Sequence, residues 1–381
     1  MKPLSLYVHI PFCIQKCDYC DFLSFPADDG AHAAYFAALE NELSAHSLAF
    51  GKDKGDYEVV SIFFGGGTPS AVNETYIERI LTLVRTHYAL SNDAECSIEV
   101  NPGTVSEEKL RVYHHAGINR ISIGCQSMQE EELQTLGRIH TKEDVIATFK
   151  AARAAGFQNI NIDLMSALPD QTFDSYMDSV TQVVALAPEH ISAYSLILEE
   201  GTPFYEEYSE EVRDEDLSLE MYQETTRYLK EHGYEHYEIS NYCLDGYRCR
   251  HNVVYWTRGE YLGTGLGAAS LICETRFRNT EDFDAYIAAN GDPKTIREDV
   301  EELDYHARME EYMFLGLRMI EGIRASDFEK TFGHPIRRIY AKAIDELTKD
   351  GLLAVNGDQI CLTPTGVNVS NYALARFLFD E

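Results

Sequence analysis

Cys13, Cys17 and Cys20 stand at C-x₃-C-x₂-C spacing, close behind an apolar run, Leu4–Ile10, that reads as a strand. Three thiolates this close in sequence cannot meet along a regular helix face or a straight strand. They converge only if the segment is a loop wrapped around something that takes soft ligands, which suits zinc or an iron–sulfur cluster. A structural zinc site wants four ligands, and no fourth cysteine or histidine follows at short spacing; His9 lies on the strand, outside the loop. A [4Fe–4S] cluster on three cysteines leaves one iron without a protein ligand and open to a substrate.

The chain behind this loop alternates. Segments rich in strand formers at Leu4–Ile10, Val59–Phe64, Cys96–Val100, Arg120–Gly124, Asn159–Met165 and His190–Leu196 are separated by helical spacing of apolar residues. The helical segments are Ala31–Phe50, Glu74–His87, Ser106–His115, Lys142–Ala155 and Thr172–Ala185. Alternation of this kind implies parallel strands with right-handed crossovers. Six units fit a partial (β/α)₆ barrel of the TIM type, and the two further units of a full barrel are not found in the first 240 residues. The polar and glycine signatures fall at the carboxyl ends of these strands, where barrel enzymes place their chemistry. Gly65-Gly66-Gly67-Thr68-Pro69 follows the second strand, Glu99-Val100-Asn101-Pro102 closes the third, Gln126 follows the fourth and Asp163 lies in the fifth. Order and spacing alone therefore predict one shared pocket.

After Gly201 the pattern changes. Glu206–Glu220 is an acidic stretch, read as a solvated face that opens a helix to about His232, and Tyr234–Tyr242 reads as another strand. A glycine-rich turn follows at Tyr261–Gly267, and Asn290–Asp299 has the composition of a linker. From Tyr305 the chain reads as a winged-helix-like module: helices over Tyr305–Met319, Ala325–Phe332 and Ile336–Asp350, a hairpin near Leu352–Leu362 and a last helix over Thr365–Phe379. The expected division is 1–240, 241–300 and 301–381, an α/β barrel, a connecting segment and a mostly helical domain. With 32 basic against 63 acidic residues the net charge is -31, which repels nucleic-acid phosphates and anionic lipid and favours a docking role for the C-terminal module over DNA binding. Nine cysteines, an odd number, with no signal peptide in view point to a reducing, cytoplasmic setting, and no apolar run approaches the roughly 20 residues needed to span a bilayer.

The cysteine triplet, with Tyr19 just before its last member, resembles the radical-SAM superfamily signature. The longer string Tyr7-Val-His-Ile-Pro-Phe-Cys13 is similar to the oxygen-independent coproporphyrinogen III oxidases and the HemW-type heme chaperones, and the resemblance extends over nearly the whole chain. It implies a radical-SAM barrel with a [4Fe–4S] cluster on Cys13, Cys17 and Cys20, and contacts to S-adenosylmethionine (SAM) from Tyr7, Tyr19, Gly66, Gly67, Thr68, Glu99, Gln126, Arg138 and Asp163. Reductive cleavage of SAM would yield a 5′-deoxyadenosyl radical, which the oxidase branch uses to convert two propionates of coproporphyrinogen III into vinyl groups. Glycines suit a close backbone approach to a ligand, and an arginine can grip a carboxylate by paired hydrogen bonds.

Two features favour the chaperone branch over the oxidase. Asp21 and Phe22 follow Cys20, where the oxidases carry a further cysteine, and His251-Asn-Val-Val-Tyr-Trp256 matches the H-N-x-x-Y-W element of the heme-binding proteins. Heme is thus the third expected cofactor, with His251 as axial ligand, Cys249 as its rival, Tyr255 and Trp256 over the porphyrin face and Arg248, Arg250 and Arg258 near the propionates. On the residues alone His251 reads better as a hydrogen-bonded core histidine, with the arginines as neighbouring surface charges, and only the resemblance reverses that preference. The implied partners are acceptor hemoproteins, including membrane-bound respiratory proteins; an RNA-modifying activity sits poorly with the charge. The chain departs from the family at Ala167, where D-L-x-x-G-L-P has glycine, and at Leu266 and Ala269, where G-x-G-P-G-A-H-S has proline and histidine.

Overall fold

Strands rich in Val, Ile and Phe alternate with capped helices through the first half of the chain, and the computed structural model, which describes residues 1–208 and 214–379, shows how they assemble. The strands are β1 (Lys2–Ile10), β2 (Tyr57–Gly66), β3 (Leu90–Val100), β4 (Arg120–Gln126), β5 (Ile160–Ser166) and β6 (His190–Ser195). Helices α1 (Asp29–Phe50), α2 (Glu74–His87), α3 (Glu107–Ala116), α4 (Glu130–Thr135), α5 (Lys142–Ala155) and α6 (Phe173–Leu186) connect them. Local chemistry sets the helix ends. Thr141 and Asp144 form a capping box at the start of α5, and Gly156 closes it in the left-handed conformation at φ 106°.

The six strands are parallel and lie side by side in chain order. Tyr7 of β1 and Tyr194 of β6 line one cavity, so the sheet curls into an open barrel. The apolar side chains that alternate along the strands form one large core with the helices, from Leu4 and Val8 through Ile98 and Ile123 to Ile191.

Beyond β6 the structure departs from the sequence-based picture in several places. The two ends of the acidic stretch Glu206–Glu220 lie in helices α7 (Pro203–Glu207) and α8 (Glu215–Glu231), the second ending close to the expected His232, and residues 209–213 between them lie outside the described residues. Tyr234–Tyr242 is not one strand but a tight hairpin, β7 (Glu235–Glu238) and β8 (Asn241–Cys243), because the chain must reverse to pair β8 antiparallel with β6. The seven-residue α9 (Arg250–Trp256) follows. The stretch expected to be a glycine-rich turn begins as β9 (Tyr261–Thr264), which pairs parallel with β1 on the side away from β2 and adds a seventh parallel strand. Gly263 belongs there because a Cβ would collide with the carbonyl of Ala269. Strands β10 (Ala269–Ile272), β11 (Thr275–Asn279) and β12 (Arg297–Glu302) extend that edge antiparallel, so the stretch expected as a linker is partly a strand of the main sheet.

The C-terminal module has its own core, including Met309, Met313, Phe328, Ile344 and Phe377. Helices Tyr305–Gly316, Ala325–Phe332 and Ile336–Lys349 surround a small three-stranded sheet, which gives the winged-helix-like form expected. The last helix is two short ones, Pro364–Asn368 and Ser370–Ala375, broken at Val369. The module is tied to the barrel by the Ile320 amide donating to the Tyr237 carbonyl at 3.0 Å and by the buried pair of Arg258 with Glu311 at 2.8 Å.

Candidate functional site

The backbone that leads out of β1 builds the mouth of the cavity. After Ile10 the chain turns through Phe12, whose carbonyl accepts from the Thr68 amide at 2.6 Å, while the Ile10 carbonyl accepts from the Gly67 amide at 2.8 Å. The glycine segment after β2 is thereby laid against the base of the cysteine loop. Side chains there would not fit. A Cβ on Gly66, at φ 115°, would stand 2.5 Å from the His9 ring, and one on Gly67 would stand 2.7 Å from the Phe12 carbonyl oxygen. His9 is fixed in turn: Tyr7 OH lies 3.1 Å from its Nδ1, and its Nε2 lies 2.9 Å from the Leu23 carbonyl oxygen.

The expected cluster and SAM residues line one cavity of about 430 Å³, the cysteines 13, 17 and 20 with Tyr7, Tyr19, Gly66, Gly67, Thr68, Glu99, Gln126, Arg138 and Asp163, and of the expected heme residues His251 and Tyr255 line it while Arg248, Cys249, Arg250, Trp256 and Arg258 do not. The three thiols are half-buried and free, and close enough that the charge of each neighbour raises the pKa of Cys13 on top of the effect of burial. Arg138 donates to the Gly124 carbonyl at 2.6 Å and to Asn101 Oδ1 at 3.0 Å, with its other terminal nitrogen 3.6 Å from Cys17 Sγ. Its Nε has no partner among the described residues.

Glu99 is no surface carboxylate. It accepts from the Gly66 amide at 3.1 Å, and burial, with Asp163 nearby, pushes its pKa up to about 8. Burial also raises Asp163, which Asn161 Nδ2 holds at 2.7 Å and Ser122 at 3.3 Å. Gln126, at φ 67°, accepts from Tyr194 OH at 3.0 Å. Asn101, part of the strand-end signature, also lines the cavity, as do Arg120, Ser122, Asn161, Ser192 and Tyr194, which were not singled out from the sequence. Their signal is polar residues at alternate positions of otherwise apolar strands, as in Arg120-Ile-Ser-Ile-Gly124.

The second half of the site differs from expectation in its surroundings. His251 does enter the cavity wall, but as a buried histidine with both ring nitrogens engaged: Nδ1 with Ser61 Oγ and Nε2 with Tyr255 OH, each at 2.9 Å. Burial and the nearby Arg120 lower its pKa to about 3, so it is neutral. Cys249 lies fully buried behind it, its Sγ 3.6 Å from Glu95. The three arginines do not gather at His251. Arg248 pairs with Glu235 and Glu321, Arg250 with Asp93, and Arg258 with Glu274 and Glu311. Only Arg250 lies on α9; Arg248 precedes that helix and Arg258 follows it, and each is taken up by different carboxylates, so closeness in sequence did not become closeness in space. Trp256 does not line this cavity: it is half-buried against Tyr237, Cys243 and Met319, beneath Arg318, whose guanidinium carbon is 4.3 Å from its ring. Ala269 is exposed on β10, and Ala167 holds the left-handed conformation, φ 57°, that glycine adopts without strain.

A radical-SAM superfamily model matches residues 7–183, and a HemN C-terminal domain model matches residues 303–369. The superfamily implies a [4Fe–4S] cluster and SAM, and the donors present fit both. Three neighbouring thiols on one loop line the cavity, the soft donor set that a three-cysteine cluster needs. The bare glycine edge, the raised carboxyl of Glu99 and the partnerless Nε of Arg138 face the same space. In the solved structures, coproporphyrinogen III oxidase (HemN) from Escherichia coli, a radical-SAM enzyme, matches with a TM-score of 0.86 at 25% identity over 99% of this chain and 90% of that one. Among curated proteins, the chain is 34% identical to the heme chaperone HemW of Lactococcus lactis across 100% of its own length and 98% of that protein's. It is 33% identical to the heme chaperone HemW of Bacillus subtilis, across 98% and 99%. Likeness of that degree along essentially every residue places the chain in the HemW family, a branch of the radical-SAM superfamily.

Proposed function

We propose that this protein binds heme and delivers it to acceptor hemoproteins, membrane-bound respiratory proteins among them, from the cytoplasm. The observation that carries this reading is the end-to-end likeness to proteins named heme chaperones, which spans both the barrel and the C-terminal module. Among the described residues no helix is long and apolar enough to cross a membrane, in keeping with a carrier that meets its acceptors at a membrane surface. The strongly negative charge speaks against nucleic acid as a partner.

In this reading residues 1–240 hold the cluster and SAM, 241–300 carry the heme element, and 301–381 dock partners. Cys13, Cys17 and Cys20 hold the [4Fe–4S] cluster. Tyr7, Tyr19, Gly66, Gly67, Thr68, Glu99, Gln126, Arg138 and Asp163 surround SAM: the glycine edge offers bare carbonyls to an ammonium group, Glu99 takes a cation by giving up its proton, and Arg138 grips a carboxylate. The bound cluster and SAM supply one-electron reduction and hydrogen abstraction. His251 offers heme an imidazole once Tyr255 turns its hydroxyl away from Nε2; Cys249, which does not line the cavity, is the less accessible ligand.

Anaerobic titration of the cluster-reconstituted protein with heme, followed by mixing with an apo-hemoprotein, tests this. A saturable Soret band that transfers to the acceptor is expected. Incubation with coproporphyrinogen III, SAM and a reductant should leave the porphyrinogen unchanged; stoichiometric protoporphyrinogen would make the protein an oxidase instead.

A further inference from the structure

Arg120 opens β4 and reaches the floor of the cavity, where it is 2% exposed. A guanidinium carries five donors in a rigid fork. Among the described residues none accepts a hydrogen bond from it, its Nε is orphaned, and no carboxylate comes within the 4.0 Å of an ion pair. A buried guanidinium with no protein partner is costly to keep.

The neighbours that might have paired with it are already committed. The Glu95 carboxylate accepts from the amides of Arg250 at 3.0 Å and His251 at 3.1 Å, which ties down the start of α9. Asp163 is held by Asn161 and Ser122. His190 spans Asn161 Oδ1 at 2.6 Å and Tyr237 OH at 2.8 Å. Burial opposes the arginine's charge, while Cys249, Glu95, Tyr237 and Asp163 around it favour that charge, so it persists at the floor without a contact partner.

Its position sets it apart from the arginine at the mouth. Arg138 is bonded to the carbonyl of Gly124, four residues further along the strand, about 13 Å at strand rise. Between the two levels the walls are aromatic on one side, Tyr7, Phe63 and Tyr255, and carry amides and hydroxyls on the other. An anionic head on a short aliphatic arm fits that space, and a guanidinium fork selects a carboxylate.

We infer that Arg120 is the receptor for an alkyl carboxylate, the propionate arm of a tetrapyrrole, at a subsite beneath the SAM position. The identity of the arm rests on the heme reading; the carboxylate subsite does not. SAM is the other carboxylate source within reach, and binding separates the two.

The full chain, reconstituted with its cluster, is titrated with metal-free coproporphyrin III and with its tetramethyl ester, read by fluorescence, and with SAM by equilibrium dialysis. The wild-type protein should bind the free acid about tenfold or more tightly than the ester. Arg120→Met should erase that preference, Arg120→Lys should restore part of it, and both should bind SAM as the wild type does, which also shows that they fold. Equal binding of acid and ester by the wild type, or a preference that survives Arg120→Met, overturns the proposal. So does a loss confined to SAM. If heme itself fails to bind while the Arg120-dependent acid preference persists, the chaperone reading falls and the subsite stands.

Discussion

The Gly66 amide donates to Glu99 Oε2 at 3.1 Å, so a carboxyl with its pKa raised to about 8 is pinned against the backbone edge expected to meet SAM. In the unfolded chain the same carboxyl titrates near 4.5. Between those values the folded state holds a proton that the unfolded state has lost, so this group's contribution to stability is present below about pH 4.5 and falls as pH rises toward 8. Glu99→Gln removes that dependence. The melting temperature of the cofactor-free variant should gain on the wild type progressively from about pH 5 to 8, and parallel curves would refute the assignment.

The histidines titrate in the opposite sense. Burial lowers His251 to about 3 and His140 to about 4, so each is neutral when folded and must gain a proton on acid unfolding. Their contribution is present above about pH 6.5 and is lost as pH falls toward those values. His140→Gln should flatten the acid limb of the stability curve, measured by denaturant midpoints from pH 7 down to 4.

Replacing the three cysteines at 13, 17 and 20 with alanine should leave far-UV dichroism and melting essentially unchanged, because their side chains sit on a half-buried loop outside the core. Anaerobic reconstitution of that variant should recover neither iron nor sulfide. Retained cubane iron would place the cluster elsewhere.

His251→Ala should abolish the Soret band of the heme-loaded protein while SAM binding persists. An unchanged spectrum would assign the axial position to another residue. Since His251 also bonds Ser61, a loss of roughly 1–3 kcal/mol in stability should accompany the change.

Ala167 stands at φ 57°, and an L-residue there is strained by about 1 kcal/mol. Ala167→Gly should raise the melting temperature by a small margin, up to about 2 °C, because the greater freedom of glycine in the unfolded chain offsets part of the relief. A decrease would mean that contacts of the Ala167 methyl outweigh the strain.

The parts of the site legible in the sequence are those whose residues are neighbours along the chain. The cysteine triplet and Gly66–Thr68 declare a loop and a bare edge without help from the fold, and Glu99, Gln126 and Asp163 stand where a strand-end rule predicts a pocket. Arg120, Asn161 and Tyr194 are lone polar residues in apolar strands, and only the curl of the sheet brings them to one cavity. The arginines around position 251 misled for the converse reason: acids distant in sequence, Glu235, Asp93 and Glu311, take them up. β9 went unread because glycine is a poor strand former; here the missing Cβ of Gly263 makes room for the Ala269 carbonyl.

The pairing of Ser5 with Tyr261 through Val8 with Thr264 has a consequence for biosynthesis. During translation the amino-terminal strand has one flank bare until some two hundred and fifty further residues have been made. The platform beneath the cysteine loop is therefore finished late, and any loading of a metallocluster onto that loop should be a post-translational event, sensitive to truncation of the chain at any point before residue 264.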